Sequence, residues 1–275
     1  MTDLRGRTIV MSGGSRGIGL AIALRAARDG ANVALLAKTA EPHPRLEGTV
    51  FSAAEAIEAA GGQALAIVGD VRDDDTVADA VEQTVARFGA IDIVVNNASA
   101  IDVSPSESIA MKRYDLMQDV NTRGTFLLSR TCVPHLRAAA NPHVLTLSPP
   151  LSLDPKWFGG HLAYTLAKFG MSMCTLGMAA EYAGDGIAFN ALWPRTLIAT
   201  AAVQNLLGGD AAMARSRRPE IVADAAHHIL TRPARTTTGN FFIDDDVLAA
   251  TGVSDLSAYA YVEDADLQVD LFLDG

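Results

Sequence analysis

The sequence has few cysteines and no long apolar runs. Cys132 and Cys174 are its only cysteines. Both lie in apolar helical stretches, so we expect buried, inert thiols rather than a disulfide framework or a zinc site. The continuous apolar runs are shorter than the ~20 residues that a membrane-spanning helix needs, and the N-terminus has no signal-peptide pattern. We therefore predict a cytoplasmic protein without a membrane span.

Positive charge is also scarce. The chain has 22 Lys and Arg residues against 32 Asp and Glu residues, a formal net charge of -10. Because nucleic-acid binding needs a basic face, we expect no nucleic-acid partner. No metal site is expected either: a helix would point the adjacent His227 and His228 about 100° apart. The acidic run at residues 244–246 lacks calcium-loop spacing and is interpreted as a solvated turn.

Short apolar strands alternate with helices along most of the chain. Strands are predicted at Thr8–Met11, Val33–Ala37, Ala64–Val68, Ile91–Val95, Val144–Leu147, Ile187–Leu192 and Asn240–Ile243. Helices are predicted at Gly17–Asp29, Ser52–Ala60, Asp73–Phe88, Met111–Ala139, Ala163–Tyr182 and Glu220–Leu230. Continuous apolar strands are typical of a parallel sheet covered on both faces. We predict an α/β fold with a single Rossmann-type doubly wound parallel sheet and helices on both faces. No linker or repeat divides residues 1–275, so one domain is expected.

Three segments are less regular. Thr39–Val50 contains two prolines and is predicted to form a long loop after the second strand. Residues 196–215 are interpreted as a flexible lid over a substrate. Val247–Gly275 is acidic, and its sequence allows either an ordered tail packed on a partner subunit or a loose end.

A glycine-rich turn, SGGSRGIG at residues 12–19, directly follows the first predicted strand and precedes the first predicted helix. Gly13, Gly17 and Gly19 have the spacing GxxxGxG. Such glycines allow a tight turn, a close approach to a pyrophosphate and packing of the helix against the sheet. The helix N-terminus also offers free N–H groups and the positive end of its dipole. This placement predicts a dinucleotide site.

The end of the second predicted strand indicates which dinucleotide binds. An acidic residue there binds the ribose hydroxyls of NAD, whereas a basic residue suits the 2′-phosphate of NADP. Residues 35–39 read LLAKT, with Lys38 and no acid before Glu41. Arg16 in the glycine turn is a second cation in the same region. The missing acid favours NADP over NAD, although both cations are also compatible with ordinary solvated surface charges.

Tyr164 and Lys168 stand four residues apart in AYTLAK, near the start of a predicted helix, and so share one face. A lysine ammonium close to a phenol favours the phenolate and lowers the phenol pKa from about 10. Such a tyrosine exchanges a proton with a carbonyl or alcohol while hydride moves. The spacing occurs by chance in many helices. It becomes informative together with the glycine turn, NNAS at residues 96–99, and Asn121.

These four motifs, in this order over about residues 5–245, resemble those of the short-chain dehydrogenase/reductase family. The segments LLAKTAEPHPRLEGT, NNASAI, VNTRGTF, LSPPLSL and NALWP are similar, more narrowly, to its hydroxysteroid-dehydrogenase-like subgroup. The resemblance implies an NADP(H)-dependent oxidoreductase with a small-molecule substrate, such as a lipid or an acyl compound. It also implies a homodimer or a homotetramer.

The resemblance assigns roles to individual residues. Tyr164 is the acid/base, Lys168 also holds the nicotinamide ribose, and Asn121 opens its helix to seat a water that passes the proton on. The remaining cofactor-binding residues are Gly13, Ser15, Arg16, Gly17, Ile18, Gly19, Lys38, Asp70, Val71, Asn97, Ala98, Ser99, Pro194, Thr196, Ile198 and Thr200.

Two positions depart from the family pattern. The family has a serine thirteen residues before the tyrosine that polarises the substrate carbonyl, and this chain has Leu151 there. Ser152 is the preferred replacement, because strand alternation is expected to point Ser148 away from the site. Losing such a donor costs orders of magnitude in rate. Arg195 replaces a glycine after Pro194, and this cation is expected either to meet an acidic substrate or to turn outward.

Three functions are compatible with these residues. The first is a carbonyl/alcohol oxidoreductase, which is preferred because Tyr164, Lys168 and Asn121 are all present. The second is an enoyl- or dienoyl-thioester reductase, suggested by the missing serine and by Arg195. The third is a non-catalytic NADP(H)-binding scaffold, suggested by the missing serine alone.

Overall fold

The computed structural model of the chain describes residues 3–42 and 46–274. In this part of the chain, seven strands form one sheet: β1 (Thr8–Ser12), β2 (Asn32–Ala37), β3 (Gln63–Val68), β4 (Ile93–Asn96), β5 (His143–Thr146), β6 (Ala188–Trp193) and β7 (Phe241–Ile243). Their order is β3-β2-β1-β4-β5-β6-β7, and every neighbouring pair is parallel. The predicted doubly wound α/β fold is confirmed.

Helices connect the strands and cover both faces of the sheet. They are α1 (Gly17–Ala27), α2 (Val50–Ala59), α3 (Asp74–Phe88), α4 (Met111–Met117), α5 (Gly124–Leu136), α6 (Leu162–Glu181), α7 (Ala201–Leu206), α8 (Gly209–Ala214), α9 (Glu220–Leu230) and α10 (Asp244–Ala249). Short 3₁₀ turns occur at Pro155–Trp157, Ala234–Thr236 and Ser257–Tyr259. The segment predicted as a flexible lid therefore contains α7 and α8.

The strand residues alternate between two apolar clusters, one on each face of the sheet. In β1, Ile9 and Met11 pack with residues of α1 and α9 such as Ile229, whereas Val10 faces the other side and packs with Leu128 of α5. All five of these side chains are fully buried. Complete burial of side chains of this size contributes about 1.5–3 kcal/mol each. The sheet is therefore a firm platform for the loops at its edge.

The strand order reverses at β1, which lies between β2 and β4. In open α/β sheets, ligands bind in the crevice outside the carboxyl ends of the strands at such a reversal. Here the loops that leave β1 and β4 begin at Gly13 and Asn97, directly after strand residues Ser12 and Asn96, which pair in register. The crevice is thus bordered by two of the motifs found in the sequence.

The predicted helix over Met111–Ala139 is not continuous. The structure has α4, then a π-helical segment at Gln118–Arg123, then α5, which contains Pro134 and ends at Leu136. The π turn inserts extra backbone into the helix, a local change to which apolar periodicity is insensitive. The apolar periodicity therefore predicted the helical extent, and the family resemblance, in which Asn121 opens its helix, indicated the break.

Two other local expectations differ from the structure. The run at residues 244–246 is not a solvated turn but opens α10, and the Asp244 carboxylate is buried and accepts a hydrogen bond from the Arg195 backbone N–H at 2.8 Å. Helix α2 begins at Val50, two residues early, because Thr49 and Ser52 form a reciprocal capping box. The predicted loop at residues 39–50 lies partly outside the described residues, since residues 43–45 are not among them.

The C-terminal segment is ordered against its own chain as far as Asp274. Val269 pairs antiparallel with Thr196 just after β6, with hydrogen bonds from Leu197 N–H to the Gln268 carbonyl (2.9 Å) and from Asp270 N–H to the Arg195 carbonyl (3.0 Å). We call residues 268–272 the C-terminal strap. The loose-end alternative is therefore wrong, because the strap is ordered by contacts with its own chain.

Within residues 3–42 and 46–274, no helix is both long enough and apolar enough to cross a membrane. The same residues contain no group of three or more His, Cys, Asp or Glu side chains arranged to hold a metal ion. Cys132 is fully buried in α5, and this burial raises the pKa of its thiol to about 12, whereas Cys174 is partly buried.

Candidate active site

A cavity of about 850 Å³ opens at the carboxyl edge of the sheet, where the strand order reverses. The glycine turn lines one end and the Tyr164–Lys168 pair lines the other. Most predicted site residues line it: Gly13, Ser15, Arg16, Gly17, Ile18, Lys38, Asp70, Val71, Asn97, Ala98, Ser99, Tyr164, Lys168, Pro194, Ile198 and Thr200. Gly19, Asn121 and Thr196 do not line it.

The glycines of the turn are required by their surroundings. Gly13 has a φ of +73°, and a Cβ there would lie 2.8 Å from the Ala98 Cα. Gly17 has a φ of +57°, which L-residues rarely adopt. A Cβ on Gly19 would lie 2.5 Å from the Asn97 side-chain nitrogen, so this glycine serves packing against the β4 loop and not the cavity wall.

Helix α1 begins at the cavity with an open N-terminus. Arg16 is the N-cap residue and makes no side-chain capping hydrogen bond. The first-turn residues Gly17 and Ile18 line the cavity. Asn97 donates from Nδ2 to the Gly13 carbonyl at 2.7 Å, which fixes the two loops relative to each other. A helix N-terminus of this kind favours a phosphate group.

Lys38 and Arg16, the two cations predicted to select the cofactor, both line the cavity and have partners within the chain. Lys38 Nζ lies 3.0 Å from Asp70 Oδ2, and its side chain is 61% exposed. Arg72 also binds Asp70, at 2.7 Å, and its hydrogen bonds, with those of Lys38, hold the pKa of this carboxyl well below its usual value. Arg16 donates to the backbone carbonyls of Glu47 (2.8 Å) and Gly48 (2.6 Å). No carboxylate directly follows β2.

Tyr164 lies at the base of the opposite end and is only 5% exposed. Its ring stacks on Phe272 of the C-terminal strap with centroids 6.1 Å apart and an interplanar angle of 29°. Burial, together with the nearby Asp270 carboxylate, raises the pKa of the Tyr164 phenol above its ordinary value. The sequence predicted a lowered pKa from Lys168 alone. That expectation omitted the burial and the carboxylate, which both favour the neutral phenol.

Lys168 is buried one helical turn after Tyr164. Its Nζ donates to the Leu147 carbonyl at 2.7 Å and lies 5.0 Å from the centre of the Trp193 ring. Burial lowers the pKa of Lys168 to about 7, and the Asp270 carboxylate acts in the opposite direction. The α6 helix thus holds both side chains of the YxxxK motif against the cavity.

Asn121 is fully buried in the π segment and acts on the backbone of a neighbouring loop. Its Oδ1 accepts from the Ala100 N–H at 2.7 Å, and its Nδ2 donates to the Ala100 carbonyl at 3.0 Å. Thr122 donates to the Ala167 carbonyl at 3.0 Å, and a Cβ on Gly170 would lie 2.3 Å from the Thr122 Oγ1. The π segment therefore packs tightly on α6 beside Lys168.

The residues near the family serine position do not line the cavity. Leu151 packs into the aromatic cluster around Phe272. Ser152 is partly buried, and its Oγ accepts from the Asp154 N–H at 3.3 Å. Ser148 is 1% exposed, and its hydroxyl has no hydrogen-bond partner among the described residues. Neither serine is therefore found where the sequence analysis sought a replacement donor.

Arg195 also points away from the cavity. Its Nε lies 3.1 Å from Asp245 Oδ1 and one terminal nitrogen lies 2.9 Å from Asp246 Oδ2, both in the first turn of α10. These acidic partners hold the side chain on the outer side of the strap, so the outward alternative describes the structure.

The sequence analysis missed the contribution of the C-terminal strap to the cavity. Asp270 and Leu271 line it beside Tyr164, Lys168 and Trp193. The run LQVDL at residues 267–271, which overlaps the strap, alternates apolar and polar residues, a pattern that indicates an edge strand with a half-buried face. That signal was available, but it does not say against which element the strand packs.

Comparison with known proteins agrees with this geometry. The family model described as short chain dehydrogenase matches residues 7–209. The chain belongs to the short-chain dehydrogenase family, which is a family of oxidoreductases. Hydroxysteroid dehydrogenase-like protein 2 of Danio rerio is 55% identical over 272 residues. The match covers 99% of this chain and 65% of that protein, so the chain spans about two thirds of its length.

Solved structures show the same likeness. The crystal structure of a short chain dehydrogenase from Mycobacterium thermoresistibile is 58% identical with a TM-score of 0.94, and the match covers 99% of this chain and 96% of that one. A metagenomic short-chain oxidoreductase in complex with NADP is 25% identical with a TM-score of 0.71, covering 87% and 97% of the two chains. Members of the family bind NAD or NADP.

Proposed function

We propose that this protein is an NADP(H)-dependent oxidoreductase that interconverts a carbonyl and an alcohol, with Tyr164 as the acid/base. The observation that carries the proposal is that one cavity joins the glycine turn of β1–α1 to the YxxxK pair of α6. A volume of about 850 Å³ lies in the upper part of the range for ligand sites. It has room for a dinucleotide together with a small substrate.

The residues present fit a bound dinucleotide. Gly13 and Gly17 leave the backbone free of side chains where a Cβ would be strained, and the N-terminus of α1 lacks a side-chain cap. Both features suit a pyrophosphate. When bound, the nicotinamide supplies or accepts the hydride. Asp70 and Val71 would then hold the adenine end, and Lys168 the ribose next to the reacting ring.

The phosphate preference is proposed from the residues that follow β2. Lys38 and Thr39 line the cavity there, and the neighbouring carboxylate, Asp70, is already bound by Arg72. A lysine ammonium gains more from a 2′-phosphate than from a neutral hydroxyl. We therefore assign NADP(H) rather than NAD(H) as the cofactor.

Tyr164 would hold the transferred proton at its phenol oxygen. In the reducing direction it donates to the carbonyl oxygen, and its raised pKa keeps the phenol protonated at neutral pH. Lys168 is held by the Leu147 carbonyl and keeps its Nζ at the same end of the cavity. Asn121 fixes the Ala100 loop, while its role in seating a water stays a prediction.

The substrate class is proposed from the apolar residues that line the cavity wall. Ile101, Leu116, Leu206 and Leu207 line it, and α7 supplies part of this surface. An apolar wall of this kind suits a lipid or an acyl chain attached to the reacting carbonyl. The thioester-reductase alternative rested partly on Arg195, and the engagement of Arg195 by Asp245 and Asp246 removes that support.

Three further expectations stay predictions from the sequence. They are the single-domain organisation of residues 1–275, a cytoplasmic location, and assembly into a homodimer or homotetramer.

The Tyr164→Phe variant tests the proposed chemistry. Removing the phenol oxygen deletes the proton donor and leaves the ring that packs on Phe272, so we expect turnover to fall by about 10²–10⁴-fold. The affinity for NADPH, measured by fluorescence titration, should change little. NADPH oxidation is followed with two probes, the diketone phenanthrenequinone and the keto-thioester acetoacetyl-coenzyme A.

Tyr182→Phe is a matched control, because Tyr182 is the C-cap residue of α6, does not line the cavity and stacks on Phe189. Turnover by Tyr164→Phe equal to that of the wild type would remove Tyr164 from the mechanism. Tight NADPH binding without turnover of either probe would instead support the non-catalytic scaffold.

A further inference from the structure

The C-terminal strap brings a carboxyl group to the reacting end of the cavity. Asp270 lines the cavity with Tyr164 and Lys168, and its charge influences the pKa of both. Its Oδ1 accepts a hydrogen bond from the Leu271 N–H at 2.7 Å. Its Oδ2 has no hydrogen-bond partner among the described residues. One oxygen of the carboxyl group is therefore available to a ligand.

The strap is anchored on both sides of Asp270, so this side chain is held in place. On one side, the Asp270 N–H donates to the Arg195 carbonyl and Val269 pairs with Thr196. On the other side, the Trp193 Nε1 donates to the Leu271 carbonyl at 2.9 Å. Phe272 is 4% exposed and packs in a cluster of aromatic rings. Held in this way, the carboxyl is preorganised rather than a mobile tail charge.

The chain segment with which the strap pairs indicates which part of a bound ligand Asp270 would meet. The strap pairs with residues 195–197, which lie within residues 194–200, the segment in which the family resemblance assigns cofactor-binding residues. A substrate carbonyl must lie between the bound cofactor and Tyr164 for the proposed reaction. The hydroxyls of Ser148 and Ser152 do not line this space, and Leu151 stands at the family serine position. Besides Tyr164 and Lys168, the carboxyl of Asp270 is a hydrogen-bonding group that lines the cavity at this end.

We infer that Asp270 is a substrate-contacting catalytic residue whose protonated carboxyl donates a hydrogen bond to the substrate carbonyl oxygen, in the role that the family gives to serine. The inference rests on the proposed carbonyl/alcohol chemistry. In the reducing direction the carbonyl carbon accepts the hydride and the oxygen takes its proton from Tyr164. Asp270 keeps its own proton and stabilises the negative charge that develops on that oxygen.

The surroundings favour the protonated form near neutral pH. Burial raises the pKa of Asp270 to about 7, which the Leu271 N–H and Lys168 oppose and Asp244 supports. A carboxylic acid kept neutral in this way is a hydrogen-bond donor. The titratable and charged groups that face the strap include His161 at the N-cap of α6, Tyr164 and Lys168 on α6, Arg195 after β6, Arg215 after α8, and Asp244, Asp245 and Asp246 on α10.

The sign of the pH dependence follows from this assignment. Below its pKa, Asp270 carries the proton that it donates, and above that pKa it presents a repulsive carboxylate to the developing oxyanion. The rate of carbonyl reduction should therefore fall about tenfold per pH unit above about pH 7. Lys168, whose pKa is also about 7, would give a similar fall by losing its charge. The variants below are therefore compared at the acid end of the pH range, where Lys168 is charged.

The test measures kcat and KM for NADPH-dependent reduction of phenanthrenequinone and of acetoacetyl-coenzyme A from about pH 5.5 to about pH 9. Asp270→Leu removes the donor, and kcat should fall about a hundredfold with unchanged NADPH affinity. Asp270→Asn keeps an N–H donor at every pH, so it should retain activity at the acid end of this range, where Lys168 is charged as well. Asp266→Asn is the matched control, since its carboxylate lies on the same tail, is 91% exposed and pairs with Arg215.

Two outcomes overturn the inference while the proposed function stands. One is wild-type turnover by Asp270→Leu, and the other is a kcat of Asp270→Asn at the acid end of the pH range that is as low as the kcat expected of Asp270→Leu. If Asp270→Leu does not fold, the kcat of Asp270→Asn decides alone. Full activity of Tyr164→Phe, or no NADPH oxidation with either probe, instead removes the proposed function itself.

Discussion

At the scale of single residues, cofactor choice depends on a weak ion pair. Lys38 lies 3.0 Å from Asp70, but the lysine side chain is 61% exposed. Exposed pairs of this kind contribute about 0–1 kcal/mol. Charge-assisted hydrogen bonds to a phosphate are about twice as strong as neutral ones. A 2′-phosphate therefore competes well for Lys38, and Asp70 retains Arg72 as its partner.

The first residue-scale prediction is that Lys38→Ala weakens NADPH binding about tenfold, equivalent to about 1.4 kcal/mol, and leaves NADH binding unchanged. Titration of both cofactors at the same salt concentration measures this difference. Arg28→Ala removes an exposed cation at the far end of α1 and is the control. Equal weakening of NADPH and NADH, or no effect on either, would show that Lys38 does not read the phosphate.

At the scale of elements, the C-terminal strap is held by one aromatic residue in a costly conformation. Phe272 has a φ of +73°, in the left-handed region that a non-glycine residue occupies at a cost of about 1–3 kcal/mol. The backbone strain is offset by contacts of the Phe272 ring with five other rings, those of Trp157, His161, Tyr164, Phe169 and Trp193. Aromatic pairs contribute about 0.5–1.5 kcal/mol beyond their burial, so packing outweighs the strain.

We expect Phe272→Ala to release the strap and to lower the free energy of unfolding by about 3 kcal/mol, because it leaves a cavity under the aromatic cluster. Chemical denaturation measures the stability. Hydrogen exchange should also accelerate at the amides of Leu197 and Asp270, which bond across the strap. Leu153→Ala is the control, since Leu153 is 85% exposed. Unchanged exchange at these two amides would mean that the backbone hydrogen bonds hold the strap without Phe272.

At the scale of the whole molecule, helices α5 and α6 present an apolar face to the outside. Leu166, Met173 and Leu176 of α6 are 42–57% exposed, and Phe126 of α5 is 48% exposed. The α6 residues recur at helical spacing along one side. A contiguous exposed apolar face marks an interaction site. Assembly through this face is the form of homo-oligomer that we expect.

The corresponding prediction is that replacing both Met173 and Leu176 by Glu converts the oligomer to monomers, because two charges would be buried at each contact. Sedimentation velocity measures the change. Met111→Glu introduces a charge at an equally exposed methionine of α4, 63% exposed, and should leave the assembly intact. A wild-type protein that sediments as a monomer would remove the prediction of a homodimer or homotetramer.

Much of the fold was predictable from local sequence. The seven strands lie within two residues of their predicted bounds, because a buried parallel strand is a short continuous apolar run and leaves a local signature. The π segment at Gln118–Arg123 was not predictable from apolar periodicity, and only the family resemblance, in which Asn121 opens its helix, indicated a break there. The capping box that starts α2 at Val50 was readable in principle but was overlooked.

The candidate site divides in the same way between local and distant information. The sequence by itself determined the glycine turn, the absence of an acid after β2, and the shared face of Tyr164 and Lys168, since each depends on residues a few positions apart in one element. Only the tertiary structure brought Asp270 to that pair, engaged Arg195 with α10, and reversed the expected pKa shift of Tyr164. The physical reason is that desolvation and Coulomb interactions depend on every group that surrounds a side chain, including groups distant along the chain.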